Sequence, residues 1–417
     1  MFGRIPFKTA LIGVSAAVLL GTAPAAANEI AELKAQIEAL QERLAKIEAA
    51  QKEAEKTTVT AGETGGWKLP GSDTSISISG YVKGDFYVDN RPASGDTFNA
   101  PAIPLDDHKD ATDDDGNVGM HARQTRLRFD THTPTEMGAL NTRIETDFYG
   151  DGSVLRLRQA YGSLGPVLAG QAWSILGDDY AAADTVDFDG PVGSIGVTRK
   201  PQLRLTLPLG EGFTGQAAVE PALQGNELPT FLGALRYGSD WGTVNLTGAA
   251  ARADEEGQNV SAYAFHVGAT LNATDATQLM ATYNVTNGFS GRIWGGGDGT
   301  VMDAAGKLKA QETMGGVAGI AHRWSDTIRT GAYFGWVEND TGDGVTALGA
   351  AGTNKSLQTL HANVIWSPVP QANIGFEVMH GWREVNPRAN DAEDAIDPAK
   401  ATKGEATRVQ LGVQYGF

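Results

Sequence analysis

Two periods of hydrophobic spacing divide the chain. Between Glu29 and Ala54, a stretch without Gly, Pro or aromatic residues, Ile30, Leu33, Ile37, Leu40, Leu44 and Ile47 recur at steps of 3, 4, 3, 4 and 3. This is a heptad seam with Ile30, Ile37 and Leu44 at a and Leu33, Leu40 and Ile47 at d, and so narrow a stripe suits another helix better than a globular core. No buried Asn enforces a dimer, which leaves a trimer open. From Ser75 the period becomes two. Ile76 and Ile78 alternate with serines, then Val82, Phe86 and Val88 take one face and Lys83, Asp85 and Tyr87 the other, the signature of strands with one apolar and one wet face. The same alternation gives sixteen candidate strands, starting near residues 75, 119, 138, 154, 165, 198, 213, 230, 241, 260, 275, 312, 327, 356, 371 and 405.

The connections alternate in length. Those at 134–137, 163–164, 209–212, 238–240, 272–274, 325–326 and 367–370 are tight, whereas those at 90–118, 177–197, 287–311, 338–355 and 386–404 are long and rich in Gly, Asp and Asn. Short turns on one side and long loops on the other characterise single-chain transmembrane barrels, which carry an even number of strands. The expectation is an all-β transmembrane β-barrel of 16 antiparallel strands over 75–417, preceded by an α-helical coiled coil over 28–55 and a linker over 56–74. The sequence closes on Val409, Leu411, Val413, Tyr415 and Phe417 at one parity; Tyr415 and Phe417 make an aromatic ending of the kind that barrel assembly machinery reads.

Export comes from the start of the chain. Arg4 and Lys8 precede an apolar run over 10–20, and Ala25-Ala26-Ala27 supplies a small-residue cleavage site before Asn28, the three regions of a signal peptide over 1–27. Without a later apolar stretch long enough for a helix, an exported chain spans a membrane only as a closed barrel.

Composition narrows the chemistry. There is no Cys, which removes thiolate metal sites and disulfides. The formal charge of −17 disfavours nucleic acid. The 53 glycines lack a collagen period. No G-x-S-x-G or H-E-x-x-H occurs, and an EF-hand register on the acidic run at 110–117 would place Ala111 and Ala122 at ligand positions. The expectation is no enzyme, no cofactor and no resident metal.

Parity assigns a lumen. Gln124, Arg126, Arg128 and Asp130 share one face of the second strand; Arg143, Glu145 and Asp147 one face of the third; Arg156 and Arg158 one face of the fourth; and Arg204 faces inward from the sixth. Arg126, Arg128, Arg143, Arg156, Arg158 and Arg204 thus make a basic wall. On this register Tyr161 points outward. The third long loop carries Asp178, Asp179, Asp184, Asp187 and Asp189; folded inward, it would set acidic groups across from the arginines and produce a transverse field over a constriction. Guanidinium forks suit carboxylates, so small anions are the expected solutes.

Several motifs carry a family likeness: Gly80-Tyr81-Val82-Lys83-Gly84-Asp85-Phe86, Arg123-Gln124-Thr125-Arg126-Leu127-Arg128-Phe129, Arg158-Gln159-Ala160-Tyr161-Gly162 and Ala169-Gly170-Gln171-Ala172-Trp173-Ser174. The chain resembles the DcaP-like porins over about a quarter of its length. The resemblance implies a homotrimer of sixteen-stranded barrels in outer-membrane lipid, a periplasmic N-terminal coiled coil, and passive diffusion of small anionic solutes, dicarboxylates included. The alternative is a structural envelope protein whose coiled coil contacts cell wall or a periplasmic partner, with incidental conduction.

Overall fold

The computed structural model describes residues 24–55, 60–61, 66–91, 95–106, 116–178, 181–195, 198–223, 228–303, 305–340, 353–386 and 402–417. Most of the expected signal peptide, much of the linker, Asp179 and most of the acidic run at 110–117 lie outside these residues. Two compact units are present.

The first contains helix α1 (Pro24–Glu55). Its Ala, Glu, Lys, Gln and Leu are strong helix formers, and Pro24 stands at the start, where a missing N–H costs nothing. Glu42 and Lys46 pair at 2.8 Å across one turn. Leu33, Ile37, Leu40, Leu44 and Ile47 are all half exposed or more. The helix is a single one, so the coiled coil is not formed within this chain. Among the described residues no helix is long and apolar enough to cross a membrane.

The second unit is a closed antiparallel barrel. Its sixteen strands are β1 (Ser75–Asp89), β2 (Arg126–Thr133), β3 (Leu140–Asp147), β4 (Arg156–Leu164), β5 (Val167–Trp173), β6 (Arg199–Gly210), β7 (Phe213–Glu220), β8 (Thr230–Ser239), β9 (Gly242–Glu255), β10 (Gln258–Asn272), β11 (Thr277–Asn287), β12 (Glu312–Arg323), β13 (Ile328–Asp340), β14 (Asn354–Val369), β15 (Ala372–Val385) and β16 (Lys403–Gly416). Each pairs with the next, and β16 returns to β1 from Arg408↔Asp89 to Gly416↔Tyr81. Closure leaves no edge. The second stave is interrupted: Asn117–His121 pairs with one half of β1 and β2 with the other, with a turn at Ala122–Thr125 between them. Phe417 exchanges backbone hydrogen bonds with Gly80, so the chain's last residue completes the seam while its ring stays exposed.

Alternation sorts the two faces. Val82, Phe86, Leu127, Ile144, Leu203, Phe265, Phe334 and Leu411 are exposed on the outside. Trp241, Trp324 and Trp366 lie outside at the turn end, as in the aromatic girdle of a barrel in lipid.

The apolar core is inside the barrel and is made by loops. We call the connections L1 (between β1 and β2), L3 (between β5 and β6) and L6 (between β11 and β12). Phe98 and Ile103 of L1, Ile175, Leu176, Val192 and Ile195 of L3, and Phe289 and Ile293 of L6 are almost wholly buried in one cluster with Val337, Leu357 and Met379 of β13–β15. Removing each such side chain from water is worth about 1.5–3 kcal/mol, which holds three polar loops inside the lumen. L1, though rich in Gly, Asp and Asn, carries an apolar segment: from Phe98 to Leu105 it docks along β14–β16, with Arg383 Nη1 donating to the Ile103 carbonyl at 2.6 Å. The wall beneath L3 is stripped of side chains to admit it. A Cβ on Gly335 would strike the Val192 carbonyl, and one on Gly375 or Gly412 would strike the Val186 side chain. Close approach of a loop explains these glycines.

Candidate functional site

With the loops docked against β7–β16, the inner faces of β1–β4 carry the polar chemistry. Register arranges them in rows across four staves. From the loop end downward these are Tyr81, Arg126, Asp147 and Arg156; Ser79, Arg128, Glu145 and Gln159; Ser77, Asp130, Arg143 and Tyr161; and Ser75, His132, Asn141 and Ser163.

The upper rows form an ion-pair lattice. Arg156 grips Asp147 with two bonds at 2.9 and 2.7 Å, and Arg128 reaches Glu145 at 2.7 Å. Arg158 spans both carboxylates, at 2.8 Å to Glu145 and 2.9 Å to Asp147. Arg126 stands 3.9 Å from Glu145, with its guanidinium over the Tyr81 ring. Four guanidinium groups thus meet two carboxylates, leaving local positive charge. Below, Arg143 and Asp130 balance each other at 2.7 Å. Arg204 faces inward from β6 opposite Leu168 and Ala218, two staves away from the rows.

A β-bulge builds the centre of this lattice. The β3–β4 register shifts between Glu145↔Gln159 and Thr146↔Leu157, so Arg158 is an extra residue and both it and Gln159 turn inward. The bulge also reverses the parity that follows. Tyr161, read as outward on an unbroken register, stands opposite Arg143 on the inner face, with the guanidinium 5.9 Å from its ring centre. Gln171 Nε2 donates to the Leu157 and Arg158 carbonyls that the bulge frees, at 3.4 and 3.0 Å.

L3 lies across the lumen, and of its expected acids Asp178, Asp184 and Asp187 turn away from the arginine rungs, while Asp189 lies within reach of the Arg156 charge. Asp178 pairs with His266 of β10 at 2.9 Å and Asp184 with Arg329 of β13 at 2.7 Å, both on the far wall. Asp187 is turned away from the wall, accepting from the backbone N–H groups of Asp189 and Gly190 in its own loop and of Phe98 in L1. The L3 side chain that meets the rungs is Phe188. Its ring lies 5.8 and 5.6 Å from the Arg156 and Arg158 guanidinium carbons and stacks on Tyr149 at 4.5 Å. Burial and the Asp187 charge push the Asp189 carboxyl up to about 6, against a Thr97 hydrogen bond and the Arg156 charge.

Three functional positions escaped sequence reasoning. Lys83 is buried on β1 and donates to the Val186 carbonyl at 2.6 Å and to Gln124 Oε1 at 2.6 Å, beside Asp85 at 3.1 Å. It fastens the middle of L3 while Glu377 of β15 accepts from the Val186 and Asp187 N–H groups. Arg123 extends the rungs toward the loop end, bonded to Asp96 with its guanidinium over Tyr149. Arg199 lies over Trp173 at 4.7 Å. In the sequence Lys83 is marked only by its place within the Gly80–Phe86 motif.

A family model, the Porin subfamily, matches residues 61–380. No curated protein sequence matches the chain significantly. Among solved structures the chain is similar to the outer-membrane channel DcaP of Acinetobacter baumannii, at 21% identity over 84% of this chain and 99% of that one, with a TM-score of 0.72. It is also similar to the anion-selective porin from Comamonas acidovorans, at 12% identity over 82% and 100% with a TM-score of 0.56. The trimer form of OmpT from Vibrio cholerae aligns at 12% identity over 82% and 99%, with a TM-score of 0.53. These likenesses establish a shared barrel fold.

Proposed function

The chain belongs to the Porin subfamily, a family of outer-membrane channels, and from that premise we propose that it passes small anions, dicarboxylates included, by diffusion between the arginine rungs and L3. One observation carries this reading: the excess of guanidinium over carboxylate on β2–β4, next to a lumen that L1, L3 and L6 narrow from the opposite side. The whole-chain charge of −17 argues the other way, yet a transiting solute responds to charges within a Debye length of ~8 Å. Donors already engaged on one carboxylate oxygen retain further N–H groups for a solute, because each guanidinium carries five. A dicarboxylate would exchange places with solvent along the rungs, one carboxylate at a time.

The reading extends to assembly. The chain is a homotrimer of DcaP-like design, exported through a cleaved signal peptide, with its N-terminal helices gathered in the periplasm as a coiled coil along Ile30, Leu33, Ile37, Leu40, Leu44 and Ile47. The exposed seam of α1 and the trimeric OmpT form support this. Tethering by three barrels would raise the local concentration of helices that are only marginal alone.

The direct test is current block in planar bilayers. Succinate should interrupt chloride current at lower concentration than acetate, because two carboxylates engage two rungs. Equal block by the two acids would refute dicarboxylate preference.

A further inference from the structure

The two lower rows of β1–β4 differ in kind from the rungs above them. They enclose a cavity of about 350 Å³ on the turn side of the lattice, lined by residues of these rows together with Thr131 and Thr142 between them, a size at the lower end of small-molecule sites. Its only formal charges among the described residues, apart from any on His132, are those of Arg143 and Asp130, which compensate each other. Arg143 uses Nε and Nη2 on Asp130, and Nη1 makes no protein bond among the described residues. The rest of the lining is hydroxyl and amide. His132 and Asn141 bond one another at 2.7 Å and Asn141 reaches Ser163, whereas the hydroxyls of Ser75, Ser77 and Tyr161 find no protein partner among the described residues. The bulge at Arg158 is what turns Tyr161 into this cavity.

A wall built only to conduct anions would continue the excess of guanidinium downward. Here it changes to a neutral tile offering spare hydroxyls around one guanidinium with a free terminal nitrogen. That donor set matches a solute bearing one carboxylate and several hydroxyl groups. We propose that this tile is a second solute subsite, on the turn side of the rungs, for hydroxylated carboxylates: the carboxylate rests on Arg143, and the hydroxyls exchange hydrogen bonds with Ser75, Ser77 and Tyr161. The inference rests on the channel reading above and names a solute class for a different part of the same wall. Its function in transport is to receive a hydrated solute as it leaves the rungs, so that polyhydroxylated acids cross without losing all their hydrogen bonds at once.

The test compares gluconate with hexanoate, two six-carbon monocarboxylates that differ in hydroxyl groups, added on the turn side of single channels in planar bilayers. Gluconate is expected to block at about tenfold lower concentration, the effect of one or two net hydrogen bonds. In Ser75→Ala/Ser77→Ala the two acids should converge, and Tyr161→Phe should bring them part of the way; calorimetric titration of gluconate into detergent-solubilised trimers should show the same order. Equal block by both acids in the wild type, or a gluconate preference that survives in all the variants, overturns the subsite while leaving an anion-conducting channel intact. A protein that inserts and carries no current overturns the channel reading and this one together.

Discussion

Arg158 shows how much depends on one residue. It is 2% exposed, between Glu145 and Asp147, which are 1% and 0% exposed, and it bonds to both. Breaking a buried pair by removing one partner costs about 3–5 kcal/mol. Arg158→Met should therefore lower the temperature at which the barrel unfolds on a heat-modifiability gel, whereas Arg143→Met, at a pair nearer water, should shift it by less than about a third as much. Equal shifts would show that the lattice does not hold the wall. Lys83 presents the same logic for L3. Lys83→Met would leave the Val186 carbonyl, Gln124 and Asp85 without their shared donor, so L3 should loosen and single-channel noise should rise, with insertion preserved. A quiet trace identical to wild type would remove Lys83 from the account.

At the scale of elements, the strands were legible because each has one face in lipid and one in water, so a period of two survives in the sequence. The sixteen staves and the inward parity of Arg126, Arg128, Arg143 and Arg156 follow from that alternation. Tyr161 was misplaced because a bulge adds one residue without disturbing composition, and Gln159-Ala160-Tyr161 reads equally well at either parity. The docking of L1 was not legible because its apolar segment from Phe98 to Leu105 has no period, and what it packs against, Gly381 and Met379, is almost three hundred residues away. The acids of L3 were recognised as a group, yet their partners His266 and Arg329 belong to distant strands that no local pattern could select. The same loop yields a pH prediction. Asp189, raised to about 6, binds a proton in the folded protein at a pH where an unfolded Asp, near 3.8, has lost it. Docking of L3 is thus favoured at low pH and weakened as pH rises through the window between those values. Near neutral pH the carboxylate stands charged beside the rungs; acidification to pH 5 discharges it. Anion preference should therefore increase as pH falls, with a midpoint near 6, and Asp189→Asn should hold the acid-side value throughout. A midpoint unchanged in that variant would assign the titration elsewhere.

For the whole molecule, the architecture divides labour between two units. The barrel closes its own hydrogen bonds through β16 and β1 and needs no helix to persist. Helix α1 exposes a seam that a single chain leaves uncovered. Ile37→Asp/Leu40→Asp should abolish helix association, since burying an unpaired carboxylate costs several kcal/mol. Trimers should then dissociate at lower temperature on semi-native gels while channels still open; trimers of undiminished resistance would deny the helix a clamping role. The central claim is that a locally basic wall sets selectivity inside an acidic protein. The most direct measurement is the reversal potential in a KCl gradient for wild type and for Arg128→Ala/Arg156→Ala, with correct assembly verified on the same preparation. The wild-type potential is expected on the chloride side, with a shift toward potassium in the double variant. A wild-type channel that prefers potassium, or a double variant with unchanged potential, would contradict it.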